Sequence, residues 1–348
     1  MNHAFVFILT ILLVGNQPFS SELKGQARYP GSDILAMRTG NVDHDNFSIP
    51  EKKDGKSSYE TDSFEGQESD QEYEERVDAW HANRIERLKD ARGWLRLAGL
   101  YWLEEGEQSF GSGQWARVRF PVGSIPEIAG IFEKKADTVF MRVAGAIDIR
   151  DERNWRLRDD IIYTPEVRRE LRYRTLTWFV VQRDDMIGIR LYDDNSPHLI
   201  HFDGIDRYEV DRNWVIHAEF EPHREGSTME IENVLGQFVP WPVAGNLRFE
   251  VDGHRVEMVA LGTGERLFIP FADATSGSET YPGGRFVYMD RPAPGETAII
   301  DFNVSYNPPC AINPHTTCPL PPRQNRLLFA VRAGEKHYEM YKENNGDI

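Results

Sequence analysis

With 348 residues the chain has room for two domains, or for one domain with long extensions. Forty per cent hydrophobic and 11 % aromatic residues are enough for a full core, which excludes a wholly disordered chain. A formal net charge of −16 excludes nucleic acid and anionic membrane surfaces as expected partners, since both demand a basic patch.

Phe5 to Gly15 is an apolar run of the length a secretory signal uses, and it is too short to cross a bilayer as a helix. It predicts a signal peptide over residues 1–20, and so a secreted or periplasmic protein, although no Lys or Arg precedes the run. The alternative is an uncleaved N-terminal segment that anchors the chain. No Cys follows the run, so a lipid-attachment site is excluded, and no later stretch is apolar for long enough to span a bilayer. Residues 21–69 are rich in Ser, Gly, Asp, Glu and Lys without apolar periodicity. They read as a disordered acidic linker, because such a composition buries too little surface to offset its ordering entropy.

A helix is predicted over 70–92. Tyr73, Val77, Trp80, Ile85 and Leu88 share one side, acids crowd the first turn, bases crowd the last, and Gly93 supplies a stop. His81 on this helix is expected at a surface or an edge.

From residue 93 the pattern turns to short alternating segments split by Gly, Pro and Asp, the mark of half-buried antiparallel strands. A first β unit is expected over 93–195, with strands at 93–103, 116–120, 139–143, 147–149, 161–163, 176–180 and 187–191. A second is expected over 196–340. Its strands fall at 214–220, 228–234, 247–251, 256–261, 267–271, 285–289, 297–302 and 327–331, with a hairpin turn at Val251-Asp252-Gly253-His254. The fold class is all-β: two packed antiparallel units, sandwich or barrel, behind one N-terminal amphipathic helix.

Asp301 to Pro322 holds both cysteines and six prolines, which no ordinary strand or helix tolerates. It must be a stiff loop of set shape, and such loops are where sites are built. Cys310 and Cys318 are spaced C-x7-C. In an exported chain they predict a disulfide. The alternatives are a zinc site formed by Cys310, His315 and Cys318, with Asp301 or Asp273 as a fourth ligand, or two free thiols. With the disulfide no cofactor is expected.

Around the loop lies a polar set. Asp273, Arg285 and Asp301 are candidate catalytic residues, since two carboxylates with a cation can divide acid and base roles. Thr275, Tyr281, Asn303, Tyr306, Asn307 and Asn325 are candidate ligand contacts, with Glu279 nearby. The same residue types also cap loops and brace turns. His198 and His201 look metal-like, but on a strand residues three apart would face opposite ways and not converge. No phosphate-binding Gly-rich loop, nucleophile elbow or His-Glu-x-x-His motif is present.

Several motifs together resemble a known family. They are Gly93-Trp94-Leu95 with Gly99 to Leu103, Asp273-Ala274-Thr275-Ser276-Gly277 with Glu279-Thr280-Tyr281, and Gly284-Arg285-Phe286. Asp301-Phe302-Asn303, Tyr306 to Ala311, Thr317 to Pro322, Asn325-Arg326-Leu327 and Ala333 to Lys336 continue the pattern. Over about residues 77–338 the chain resembles the prokaryotic domain of unknown function 1684, a resemblance that implies no particular activity. The first β unit also resembles a forkhead-associated sandwich through Phe110-Gly111-Ser112, Val118 to Pro121 and Glu127 to Gly130. Ile125-Pro126-Glu127-Ile128 stands where that fold's phosphothreonine contacts would be.

Three functions are compatible with these features. The first is a protein that binds a small polar molecule between loops 271–286 and 301–326. The second is a hydrolase- or lyase-type enzyme using Asp273, Asp301 and Arg285. The third is an interaction module of the cell envelope with the proline loop as contact surface. Convergence of Asp273, Arg285 and Asp301 in a cleft favours the first two, and separate burial favours the third.

Overall fold

The computed structural model describes residues 68–341 except Asp184. The expected signal and the linker up to residue 67 lie outside the described residues.

Helix α1 spans Asp70–Lys89. Ser69 starts it with a reciprocal cap: its hydroxyl accepts the Glu72 N–H, and its own N–H donates to the Glu72 carboxylate at 2.8 Å. Tyr73, Val77, Arg84 and Leu88 form the buried stripe. The helix ends at Lys89, with Asp90 as its C-cap, earlier than the expected stop at Gly93. Gly93 instead opens a 3-10 turn over Trp94–Arg96.

Ten strands follow. β1 (Leu97–Trp102), β2 (Gly106–Gly111), β3 (Val118–Arg119), β4 (Gly130–Lys135) and β5 (Thr138–Val143) come first. β6 (Arg150–Asp151), β7 (Asp159–Tyr163), β8 (Glu170–Tyr173), β9 (Leu176–Arg183) and β10 (Met186–Asp193) complete them. They form two five-stranded sheets, ordered β1-β10-β9-β8-β6 and β3-β2-β4-β5-β7. One core, including Phe110, Phe132, Trp178 and Leu191, is drawn from both sheets, so the pair is a sandwich. Pairing is antiparallel except between β2 and β3, which run parallel.

A four-residue helix, α2 (Pro197–Ile200), carries His198. The third sheet is built from β11 (Val215–Pro222), β12 (Thr228–Glu232), β13 (Phe238–Val251), β14 (His254–Leu261), β15 (Arg266–Phe271), β16 (Arg285–Asp290) and β17 (Ala298–Asp301). Its order is β16-β15-β14-β13-β11-β17, with β12 on β13. β17 returns beside β16, which nearly closes the sheet into a barrel around Leu247, Met258, Ile269, Val287 and Ile300. Asp252 and Gly253 have φ of 49° and 76°, the left-handed pair that a tight β13–β14 hairpin needs.

Residues 327–331, expected as a strand, are irregular instead. Their backbone bonds go to side chains and to residues 272–274: Val331 N–H donates to Asp273, Leu327 N–H to the Ala272 carbonyl, and the Phe329 carbonyl accepts the Ala274 N–H. The proline loop includes a four-residue helix, α3 (Pro309–Ile312), and Pro308, Pro309, Pro319 and Pro321 are buried. It is therefore an internal spine more than an outer contact surface.

Candidate functional site

Asp273 follows the end of β15, and Arg285 opens β16 opposite Phe271. Arg285 is 1 % exposed and Asp273 7 %. Their side chains meet at 3.3 Å. Arg285 Nη2 also donates to the Val331 carbonyl at 2.7 Å, and Nη1 to the carbonyls of Ala333 and Glu335. The carboxylate is equally occupied. It accepts the Val331 N–H at 2.6 Å, the Thr275 hydroxyl at 2.8 Å and the Ser276 hydroxyl at 3.2 Å. Thr275 shares its oxygen with Thr280 at 2.8 Å. Burial pulls the Arg285 guanidinium below its ordinary value, and Asp273 acts against that shift. Together the pair straps the C-terminal segment 331–335 to the barrel mouth.

Asp301 serves a different joint. Its carboxylate accepts the Tyr73 hydroxyl of α1 at 2.9 Å and the Asn303 N–H at 3.0 Å, capping the turn Phe302–Val304. Asn303 donates to the Asp211 carbonyl at 2.9 Å and accepts the Asp211 N–H at 3.0 Å. Burial raises the Tyr73 hydroxyl well above its ordinary value, and the negative Asp301 adds to the rise. The expected convergence of Asp273, Arg285 and Asp301 is thus replaced by two separate braces, because each carboxylate answers the nearest unpaired donors.

A third buried centre joins α1 to the other end of the fold. Glu335 has no exposed surface. Its carboxylate accepts Arg84 Nε at 3.0 Å and the Asn307 N–H at 2.7 Å. Arg84 also donates to the Asn307 carbonyl at 2.9 Å and lies 4.4 Å above the Tyr306 ring. Tyr306 is half-buried, and desolvation pushes its hydroxyl up to about 12. Asn307 Nδ2 donates to the Lys336 carbonyl at 2.7 Å. His81, half-buried, has Nε2 3.9 Å from Glu335, and burial lowers its titration below 6.5. Sequence reasoning missed Arg84 and Glu335. The available signals were an arginine inside the apolar stripe of α1 and the motif Ala333 to Lys336, which contains Glu335.

Asn325 replaces a missing piece of sheet. β14 and β15 pair at only Leu261 and Phe268. Where they part, Asn325 Nδ2 donates to the carbonyls of Val259 and Pro270, both at 2.9 Å, and Oδ1 accepts the Val259 N–H at 2.7 Å. Its side chain does the work of a peptide group.

The sulfurs of Cys310 and Cys318 lie at disulfide distance, with their Cα atoms 6.1 Å apart. The zinc alternative lacks its ligand set. Among the described residues no three His, Cys, Asp or Glu side chains gather as a metal site requires, and the His315 N–H is turned to Asn313 Oδ1 at 2.9 Å. Asn313 itself donates to the carbonyls of Trp94 and Leu97 at 3.0 and 2.7 Å, tying the loop to the start of the sandwich.

Of the expected ligand contacts, Tyr306 is half-buried, as is Tyr281. The Tyr281 ring stacks on His337, with centroids 6.1 Å apart and planes 12° apart. Beside it Glu279 takes two bonds from Arg332 and one from the Tyr208 hydroxyl, and Arg332 holds its carboxylate below the ordinary range. Thr275, Asn303, Asn307 and Asn325 face inward.

Outward, the β12–β13 hairpin presents apolar side chains. Its turn is tied by Asn233, whose Oδ1 accepts the N–H groups of Leu235 and Gln237 at 2.9 and 3.1 Å. The cysteine loop holds it from the side, with Val234 N–H donating to the Cys318 carbonyl and Leu320 N–H to the Glu232 carbonyl. Val234 is 39 %, Leu235 60 % and Phe238 65 % exposed.

The family described as "Protein of unknown function (DUF1684)" matches residues 200–336. That span takes in every motif from Asp273 to Lys336 and leaves Gly93 to Leu103 outside. Among solved structures, the solution NMR structure of an uncharacterised protein from Haloarcula marismortui is 31 % identical; the match covers 39 % of this chain and 77 % of that one, with a TM-score of 0.34. None of the curated proteins matches this chain.

Proposed function

We propose that this chain, which belongs to the DUF1684 family through residues 200–336, is an exported interaction module whose motif loops form its scaffold. One observation carries the proposal: the motif's polar side chains are spent on internal partners, while the hairpin they support points Val234, Leu235 and Phe238 into solvent. Acid–base chemistry at Asp273 and Asp301 finds little support in that arrangement, since the two carboxylates serve separate braces. A small polar ligand would find only Tyr281 and Tyr306 partly accessible among the expected contacts, and Tyr306 lies under Arg84.

A pre-set turn suits recognition, because little side-chain or loop freedom is left to lose on binding. The partner this surface fits is a protein with an apolar slot and a basic rim, since Glu230 and Glu232 are exposed beside Phe238 on the same face. The test is a photo-reactive residue at position 235 in the native host, with a second at exposed Val122 as control. A discrete adduct from 235 that disappears with Phe238→Glu, and does not form from 122, is the expected result. Equal adducts from both positions, or none from 235, would end the proposal. Fractionation of the same cells tests export: a pool confined to the cytoplasm contradicts it.

A further inference from the structure

On a different surface, we propose that the sandwich binds a small organic acid in a cleft of about 730 Å³ at the end of β6 and β8. A volume of that size suits a small ligand. Arg150, Arg172 and Arg174 line it together with the apolar surfaces of Ala146, Ile147 and Tyr173. Arg150 and Arg172 face each other across the strand pair, an arrangement of like charges that a sheet does not favour.

The carboxylates of the wall are already engaged. Asp148 takes Arg150 at 3.0 Å and Arg156 at 3.3 Å. Asp151 is buried against Arg169 at 3.2 Å and accepts the N–H groups of Arg153 and Trp155. Glu152 accepts the Glu170 N–H at 3.2 Å, and Glu170 in turn holds Arg172 at 2.6 Å. Arg174 stands apart. It is exposed, and its guanidinium lies 5.2 Å over the Tyr173 ring.

The backbone at Arg174 has a φ of 54°, a left-handed conformation that glycine would adopt more easily. Folding alone therefore does not favour an arginine at this turn. Its side chain supplies a planar pair of donors at the rim, suited to a carboxylate. Tyr173, Ala146 and Ile147 supply an apolar bed for the rest of the molecule.

Titration calorimetry with hexanoate, hexylamine and inorganic phosphate as probes decides the matter. Hexanoate is expected to bind saturably, and Arg174→Gln to weaken it about tenfold or more. Arg168→Gln, at an exposed arginine outside the cleft, should leave binding unchanged. Arg174→Gly should raise the melting temperature by relieving the turn while abolishing binding, which separates lost recognition from lost folding. Hexylamine or phosphate binding as well as hexanoate, no saturable hexanoate signal, or an Arg174→Gln variant that binds like wild type would each overturn the proposal.

Discussion

Asn325 illustrates how much a single side chain carries in this fold. Replacing it with alanine leaves two buried carbonyls and one N–H without partners where β14 and β15 part. The expected cost is about 2–4 kcal/mol, read as a lower urea midpoint with an unchanged slope. His81 gives a pH dependence of definite sign. Burial lowers its folded titration below 6.5, with Glu335 opposing the shift and Arg207 and Arg84 reinforcing it. The unfolded chain therefore takes up a proton first as the solution is acidified. Stability is fully present above about pH 6.5 and falls as pH drops toward the folded value. His315 is lowered by burial in the same way and contributes in the same direction. His81→Leu should flatten part of this slope between about pH 7 and pH 5, measured by urea midpoints across that range. An unchanged slope would mean that the imidazole is already solvated.

Among the elements, the cysteine loop has the clearest expected effect. Replacing both Cys310 and Cys318 by serine removes a short cross-link, worth about 2–3 kcal/mol by loop entropy. The hairpin at 233–238 should loosen first, since Val234 hangs on the Cys318 carbonyl. Faster hydrogen exchange at Val234 and Leu320 than at Ile300 would show it. The sequence made strands such as β9, β10, β14 and β15 legible, because an apolar face or run stands out against their turns. β4 and β8 were harder to see: Glu170-Leu171-Arg172-Tyr173 buries only Leu171 fully, too little to form a pattern. Residues 327–331 misled in the other direction, being apolar but bonded to Asp273 and Arg285 instead of a neighbouring strand. At the site, the residue types were readable and their partners were not. Asp273 and Asp301 look alike in sequence, yet one answers Arg285 and the other Tyr73. No local spacing could sort them, because Tyr73 and Asp301 are 228 residues apart.

For the whole molecule, Asn313 is one polar tie between the two β regions, beside the apolar cluster of Leu95, Ile205, Ile312 and Tyr338. It is the side chain by which the cysteine loop grips the Trp94 and Leu97 carbonyls. With that grip intact, calorimetry should record one cooperative transition over the described fold. Asn313→Ala should broaden or split it, with the sandwich melting apart from the barrel-like sheet. Two well-separated transitions in the unaltered protein would mean that the grip transmits nothing.

The bond between Arg84 and Glu335 spans 251 residues. Ribosomes add about 5–20 residues per second, so α1 exists for roughly 10–50 s before its counter-charge is synthesised. Throughout that interval Arg84 has no carboxylate, and Tyr73 waits 228 residues for Asp301. The joint between α1 and residues 301–335 is thus among the late contacts of this fold, and a chain that stalls before residue 335 leaves Arg84 without its carboxylate.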